Sequence, residues 1–362
     1  MIDFIPAENY TQIWYSILLI LVLSTYVQLR TNGNLIFNTN RKDYKTLILL
    51  FFVIFYMGLR PLNIIFVDMT TYNSQFERYA NGAELSELSV DYLWNVFMKF
   101  CSTFMTAKMF FFICVLLYVV PIYIASKKWV GANNYYLFLM VLASLSFWTY
   151  GTNGIRNGIA TSFFVLAVSS TKKTYFKYGL LVVSYFIHGS LIIPLAAFVL
   201  TLFYKNPKKY LLGWLLAIPL SLLFGSFWEI FFSSFSIIGD RAIYLTQGNI
   251  NNDSFAYTGF RWDFLLYSFF AIYSGYYFIV KRKFKDILYI QLFNLYVITN
   301  TLWILVIRAN FSNRFAYLSW FLMAFVIFYP FLKAEFFKKQ QTVLAYTILF
   351  YFGFTYLIFL TE

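Results

Sequence analysis

Apolar stretches with few charges recur along the whole of this sequence, near 12–29, 45–60, 107–125, 134–150, 155–171, 210–230, 262–280, 286–306, 315–332 and 341–360. A helix needs ~20 mostly apolar residues to cross a bilayer. Inside hydrocarbon every backbone polar group must be satisfied within the protein, so runs of this length read as helices. The chain is 61% hydrophobic and only 12% charged, against roughly 45–50% and 25% in soluble domains. The expected fold class is therefore all-α: a polytopic membrane protein with about ten full spans and long external loops. No polar segment is long enough to bury a core of its own. The whole of 1–362 is expected to form a single integral membrane domain.

The opening "MIDFIPAENYTQ" carries Asp3 and Glu8 and no basic residue. A cleaved signal peptide needs a positive start, so the first span is expected to be retained. Two cysteines, Cys101 and Cys114, make neither a disulfide framework nor a metal set.

Charge gives the orientation. Lys and Arg cluster at 30–45, 127–128, 172–177, 205–209, 281–285 and 333–339. By the positive-inside rule these loops face the cytoplasm, and both termini lie outside. The net charge of +13 is then a topology signal, and nucleic acid is not an expected partner. The remaining cations are mostly arginine: Arg60, Arg78, Arg156, Arg241, Arg261, Arg308 and Arg314. Topology does not ask for external arginines. Guanidinium grips phosphate and carboxylate with two prongs. As a set they predict a basic, outward-facing pocket for an anionic ligand at the membrane surface. For any single one, simple anchoring of a helix end is the competing account.

The stretch 178–204, "YGLLVVSYFIHGSLIIPLAAFVLTLFY", has lysines on both flanks. One crossing would put a lysine cluster outside, and two full crossings need ~40 residues. A re-entrant hairpin of two half-helices meets both constraints, giving 10–12 spans in all. The bend is expected at "HGS", which places His188, the only histidine, at the tip of a cavity. The long loops, 61–106 and 231–261, are both external on this topology, so chemistry is expected there. The last part of the first, around Trp94 and Phe97, reads as an amphipathic surface helix.

In "GTNGIRNGIATSFFVLA", Asn153, Arg156 or Asn157, Ala160 and Ala167 share one helical face, and Gly154 and Gly158 form a G-x-x-x-G pair for close helix approach. In "GLRPLNIIFVDMTTY", Pro61 stops a helix after Arg60, with Asp68 and Tyr72 following one turn apart. In "RANFSNRFAYLSW", Arg308 and Arg314 bracket a short turn, and Asn313, Arg314 and Tyr317 share the mouth of the next span. "GDRAIY" (Asp240, Arg241, Tyr244) and "FRWD" (Arg261, Asp263) are the least specific. No nucleotide-binding glycine loop, D-x-D, G-x-S-x-G or metal-ligand cluster is present in the sequence. No metal or cofactor is expected. An anionic leaving group would be stabilised by arginine instead.

These elements, in this order, resemble the EpsG/Wzy-type family of bacterial polysaccharide polymerases: R…D…Y after the second span, N-x-x-R-x-x-x-A opening the fifth, "HGS", and "NRFAY". The resemblance runs from about Arg60 to Tyr317. Family members often carry Gln after the arginine, where Asn157 stands here. The resemblance implies a metal-independent glycosyltransferase in the bacterial inner membrane. It would act on undecaprenyl-diphosphate-linked oligosaccharides at the periplasmic face, making O-antigen, capsule or exopolysaccharide. Donor and acceptor would both be lipid-linked, and a chain-length regulator is a further candidate partner. Arg156, Arg60 and Arg314 then suit the diphosphate. Asp68 or His188 would take the proton of the acceptor hydroxyl. Tyr72, Asn153, Asn313, Tyr317, Arg241, Arg261 and Arg308 complete the expected binding set. A flippase for the same lipid-linked sugar, or another membrane glycan transferase such as a ligase, are the alternatives.

Overall fold

The computed structural model describes residues 5–31, 43–85, 91–170, 174–234, 259–309 and 312–361. Among these residues every regular element is helical, as a multi-pass membrane chain requires. Seven described helices are long and apolar enough to cross a membrane, by length and composition. The chain divides into two compact units, Met1–His188 with Phe331–Glu362, and Gly189–Pro330.

The first unit holds α1 (Tyr10–Thr31), α2 (Tyr44–Gly58), α3 (Val67–Ala80), α4 (Tyr92–Ser102), α5 (Ala107–Val130), α6 (Asn134–Leu142), α7 (Leu145–Thr152), α8 (Ile155–Val168), α9 (Tyr175–Ile187) and, from the end of the chain, α16 (Gln340–Thr361). Helix α1 packs along α16, α2 and α8 pack on α5, and α9 packs on α8. In lipid there is little hydrophobic drive between helices, so close packing and hydrogen bonds hold the bundle. Trp14 is fully buried and stacks on Trp148 with ring centroids 5.1 Å apart. Trp148 donates to Thr11 Oγ1 at 3.1 Å, and the Tyr56 hydroxyl donates to the Tyr10 carbonyl at 2.8 Å.

The second unit holds α10 (Ile192–Phe203), α11 (Pro207–Ser233), α12 (Trp262–Tyr276), α13 (Ile287–Leu305), α14 (Ser312–Trp320) and most of α15 (Met323–Lys333). Buried Asn300 on α13 ties it together. It accepts from Trp214 Nε1 at 2.7 Å and donates to Ser268 and Ser319 at 3.1 and 2.9 Å. Trp320 Nε1 also donates to Ser268, at 2.7 Å. Four helices are joined through one amide.

All ten apolar stretches carry helix, but several are shorter or broken. The span expected at 134–150 is two helices, because Ser144 is extended (φ −76°, ψ 147°). Its hydroxyl turns back to the Val141 carbonyl at 2.7 Å, a local bond that competes with helix continuation. The span near 155–171 stops at Val168, and its 14 residues rise only ~21 Å. The stretch 178–204 is indeed two short helices, α9 and α10. They are separated at His188, whose backbone is extended (φ −150°, ψ 114°). The segment 61–106, expected as an external loop, is largely helical among its described residues, as α3 and α4. Trp94, expected on a surface helix, is 1% exposed. It packs edge-on to Tyr72 at 5.1 Å and to Phe110 at 5.6 Å, so α4 lies against the bundle.

Candidate functional site

Four segments of the first unit converge on one carboxylate. Asp91 stands at the N-cap position of α4, where an aspartate ordinarily accepts from the helix's own amides. It makes no such cap bond. Its Oδ2 instead pairs with Arg156 Nη1, and its Oδ1 lies 3.8 Å from His188 Nδ1. The His188 distance is ion-pair range and beyond a hydrogen bond. Arg156 Nε donates to the Tyr72 hydroxyl at 2.7 Å, with the guanidinium 5.5 Å from the Tyr72 ring centre. Tyr72, Asp91 and His188 are buried, while the Arg156 side chain keeps 24% of its surface. The cluster is thus a covered base under a partly open arginine.

Local structure explains the positions. Arg156 sits in the first turn of α8, where the helix dipole is positive and a cation is disfavoured by ~0.3–1 kcal/mol. The Asp91 carboxylate offsets that. Tyr72 is carried by α3, which is fixed to α4 through Gln75 Nε2 donating to Asn95 Oδ1 at 3.0 Å. Burial raises the Tyr72 phenol above its ordinary pKa, and neighbouring Arg156 pulls it back, so it stands as a neutral hydroxyl. Asp68 is one turn earlier on α3, half-buried, and its charge reaches the same phenol. His188 ends α9, and its amide still donates to Ser184 at 3.2 Å.

Gly158 seats α8. A Cβ there would come within 2.6 Å of the Tyr150 carbonyl oxygen and 3.1 Å of the Tyr118 ring. The close neighbour is backbone, which cannot swing aside. Gly154 differs from expectation, since it precedes the helix as its N-cap. The pair therefore does not form a two-glycine helix face. Gly158→Ala is expected to cost ~1–3 kcal/mol by overpacking and to displace Arg156, half a turn away. A melting curve of the detergent-solubilised variant, several degrees below wild type, checks this.

The other residues singled out in the sequence fall elsewhere. Arg60 is 2% exposed. It donates to the Met57 carbonyl and to Met69 Sδ and lies over the Phe66 ring. That corrects the expectation of an outward-facing arginine: Arg60 fastens the end of α2 to α3, the helix that bears Tyr72. Asn153 is exposed at the end of α7. In the second unit Arg261 is gripped in two-pronged fashion by Asp263, at 2.9 and 2.6 Å, and covers the Phe264 ring. Arg308 and Arg314 are exposed. Asn313 and Tyr317 share the first turns of α14, with Tyr317 against Trp320 at 5.6 Å. Arg241 lies outside the described residues, with Asp240 and Tyr244.

Asp91 is the residue that sequence reasoning missed. Its signal, an acidic residue directly before "YLWNVF", reads equally as a helix cap. Among the described residues no group of three or more His, Cys, Asp or Glu side chains could hold a metal ion. Both cysteines are buried and free.

A model of the EpsG family matches residues 43–362. No curated protein and no solved structure matches the chain.

Proposed function

We propose that this chain, which belongs to the EpsG family, joins oligosaccharide repeat units carried on a polyprenyl diphosphate. The donor's anomeric carbon is attacked by a hydroxyl of the incoming lipid-linked acceptor. A new C–O bond forms, and the bond from that carbon to the diphosphate oxygen breaks with its electron pair going to the diphosphate. The acceptor proton passes to the His188 imidazole. Arg156 faces the leaving diphosphate with the part of its side chain that stays exposed.

The observation that carries this reading is the Arg156–Asp91–His188 arrangement. A partly exposed guanidinium is held at two of its nitrogens, so its orientation is fixed before substrate arrives. Preorganised donors act where charge develops in the transition state. A buried carboxylate alongside His188 favours the imidazole, over Asp68, as the group that accepts a proton. The reaction belongs at the outer face of the membrane, since the lysine-rich connectors mark the opposite side as cytoplasmic.

Purified protein in detergent, given defined polyprenyl-diphosphate-linked repeat units and no nucleotide, is expected to form a ladder of glycan oligomers with release of polyprenyl diphosphate. Substrate recovered unchanged under conditions where the protein is folded sinks the polymerase reading. Appearance of substrate in the opposite leaflet of proteoliposomes, without new glycosidic bonds, would instead establish a flippase.

A further inference from the structure

Two basic connectors of the second unit meet the same end of α13. Lys205, Lys208 and Lys209 stand where α10 turns into α11, and Lys281, Arg282, Lys283 and Lys285 stand between α12 and α13. Gln291 of α13 donates to the Thr201 hydroxyl at 3.3 Å, and Asn294 donates to the Lys205 carbonyl, also at 3.3 Å. The other connector runs directly into α13 at Asp286, its N-cap. Both basic segments therefore lie within about two turns of one helix start. All of these cations are exposed.

The lysine-rich ends of the first unit are different. There Arg30 donates to Thr342, Lys127 pairs with Asp43, Lys177 reaches the Ser170 carbonyl and Lys333 the Trp129 carbonyl. In the second unit, among the described residues, no hydrogen bond or ion pair engages the ammonium groups of Lys205, Lys208, Lys209, Lys283 or Lys285. The carboxylate of Asp286 accepts from the Tyr289 amide at 2.9 Å and from the Tyr329 hydroxyl at 2.8 Å, so it is already engaged. Lys283 also has a left-handed backbone (φ 56°), a conformation that glycine adopts without a steric penalty. A lysine kept there at that cost points to a use for its charge.

We propose that this end of the second unit is a binding site for the headgroups of anionic phospholipids. The positive-inside rule accounts for cations on the cytoplasmic side. It does not account for one unit engaging them internally while the other leaves them open. Exposed Phe203 and Tyr204 directly precede Lys205, and exposed Ile287 follows Asp286. Apolar side chains beside lysines at the ends of membrane helices put the ammonium groups at headgroup depth. That favours lipid over a soluble acidic protein, which would meet the lysines without the hydrocarbon. The choice of cation agrees. Lysine is a compact point charge that suits a mobile phosphodiester, whereas fixed recognition of a carboxylate favours the guanidinium fork. The site stands independently of the transfer chemistry.

The test is native mass spectrometry of the full-length protein in detergent, titrated with phosphatidylglycerol or with phosphatidylcholine of the same acyl chains. Each cation near a headgroup is worth roughly fivefold in affinity, so phosphatidylglycerol should bind about tenfold or more tightly than phosphatidylcholine. Lys205→Gln/Lys208→Gln/Lys209→Gln and Lys281→Gln/Lys283→Gln/Lys285→Gln change only exposed side chains. Each should cut that preference by about fivefold or more. Arg30→Gln/Lys127→Gln/Lys333→Gln removes the same charge from the first unit and should keep the preference. Lys283→Gly should melt above wild type, because glycine relieves the left-handed backbone, yet hold phosphatidylglycerol more weakly. A wild type without preference overturns the proposal, and so does full preference in both lysine triple variants. An equal loss in the first-unit control overturns it too, since net charge alone would then explain binding. A polyglutamate peptide that binds and is not displaced by phosphatidylglycerol would give this surface to an acidic protein instead.

Discussion

Arg156→Ala is expected to lower glycan transfer by ~10²–10³-fold, the loss seen when one preorganised transition-state donor is removed. Cells that depend on this variant should carry surface glycan as single repeat units. The arginine is held between the Tyr72 hydroxyl and Asp91, so alanine also strips a buried carboxylate of its cation. Breaking such a pair from one side costs ~3–5 kcal/mol, and the amount of protein in the membrane should fall. Adding Asp91→Asn separates the two effects. The amide carries no charge to strand, so Arg156→Ala/Asp91→Asn should recover protein level without recovering transfer. Arg156→Lys keeps the charge but cannot serve Tyr72 and Asp91 from one rigid fork, and should remain well below wild type. A double variant that makes a normal ladder of chain lengths removes Arg156 from the chemistry.

The membrane architecture is legible in the sequence because it is written in local properties. Apolar run length places helix at every one of the ten stretches, and the interruption at His188 follows from a polar "HGS" within an apolar run. Breaks such as Ser144 are harder to see. Serine is tolerated in membrane helices, and only its bond to the Val141 carbonyl turns it into an end. The seating of α8 is likewise set by a neighbour. Gly158 meeting the Tyr150 carbonyl is a contact between two helices that hydropathy cannot weigh.

The site is half legible for a related reason. Arg156, Tyr72 and His188 attract notice as polar residues at the edge of hydrocarbon, where their cost demands a purpose. Asp91 does not, since it lies in a polar loop beside a helix start, where aspartate is ordinary. Its role depends on Arg156 and His188 arriving from sequence positions 65 residues away and further. Arg60 shows the converse. It sits at a predicted boundary with a carboxylate nearby, and so reads as a ligand clamp. Its burial against Met57, Met69 and Phe66 makes it a fastener for α3. Sequence spacing separates neither case, because cation–sulfur and cation–ring contacts leave no periodic trace.

His188→Gln is expected to reduce kcat by ~10²–10⁴-fold, the usual worth of a positioned general base, while KM for the lipid-linked acceptor changes little. Glutamine keeps an amide that can donate to Asp91, and its side chain lies in the same break between helices, so folding should be preserved. What it cannot do is take up a proton. In the wild type, transfer should fall as pH drops, because a protonated imidazole accepts nothing from the acceptor hydroxyl. That acid limb should vanish from the residual activity of His188→Gln. Asp68→Asn discriminates between the two bases weighed from sequence. Asp68 acts on the Tyr72 phenol through charge, and its amide variant should retain the limb with a modest loss of rate. If Asp68→Asn abolishes transfer and flattens the pH profile while His188→Gln leaves both intact, the proton goes to Asp68. The buried Asp91–His188 contact would then be a brace for Arg156.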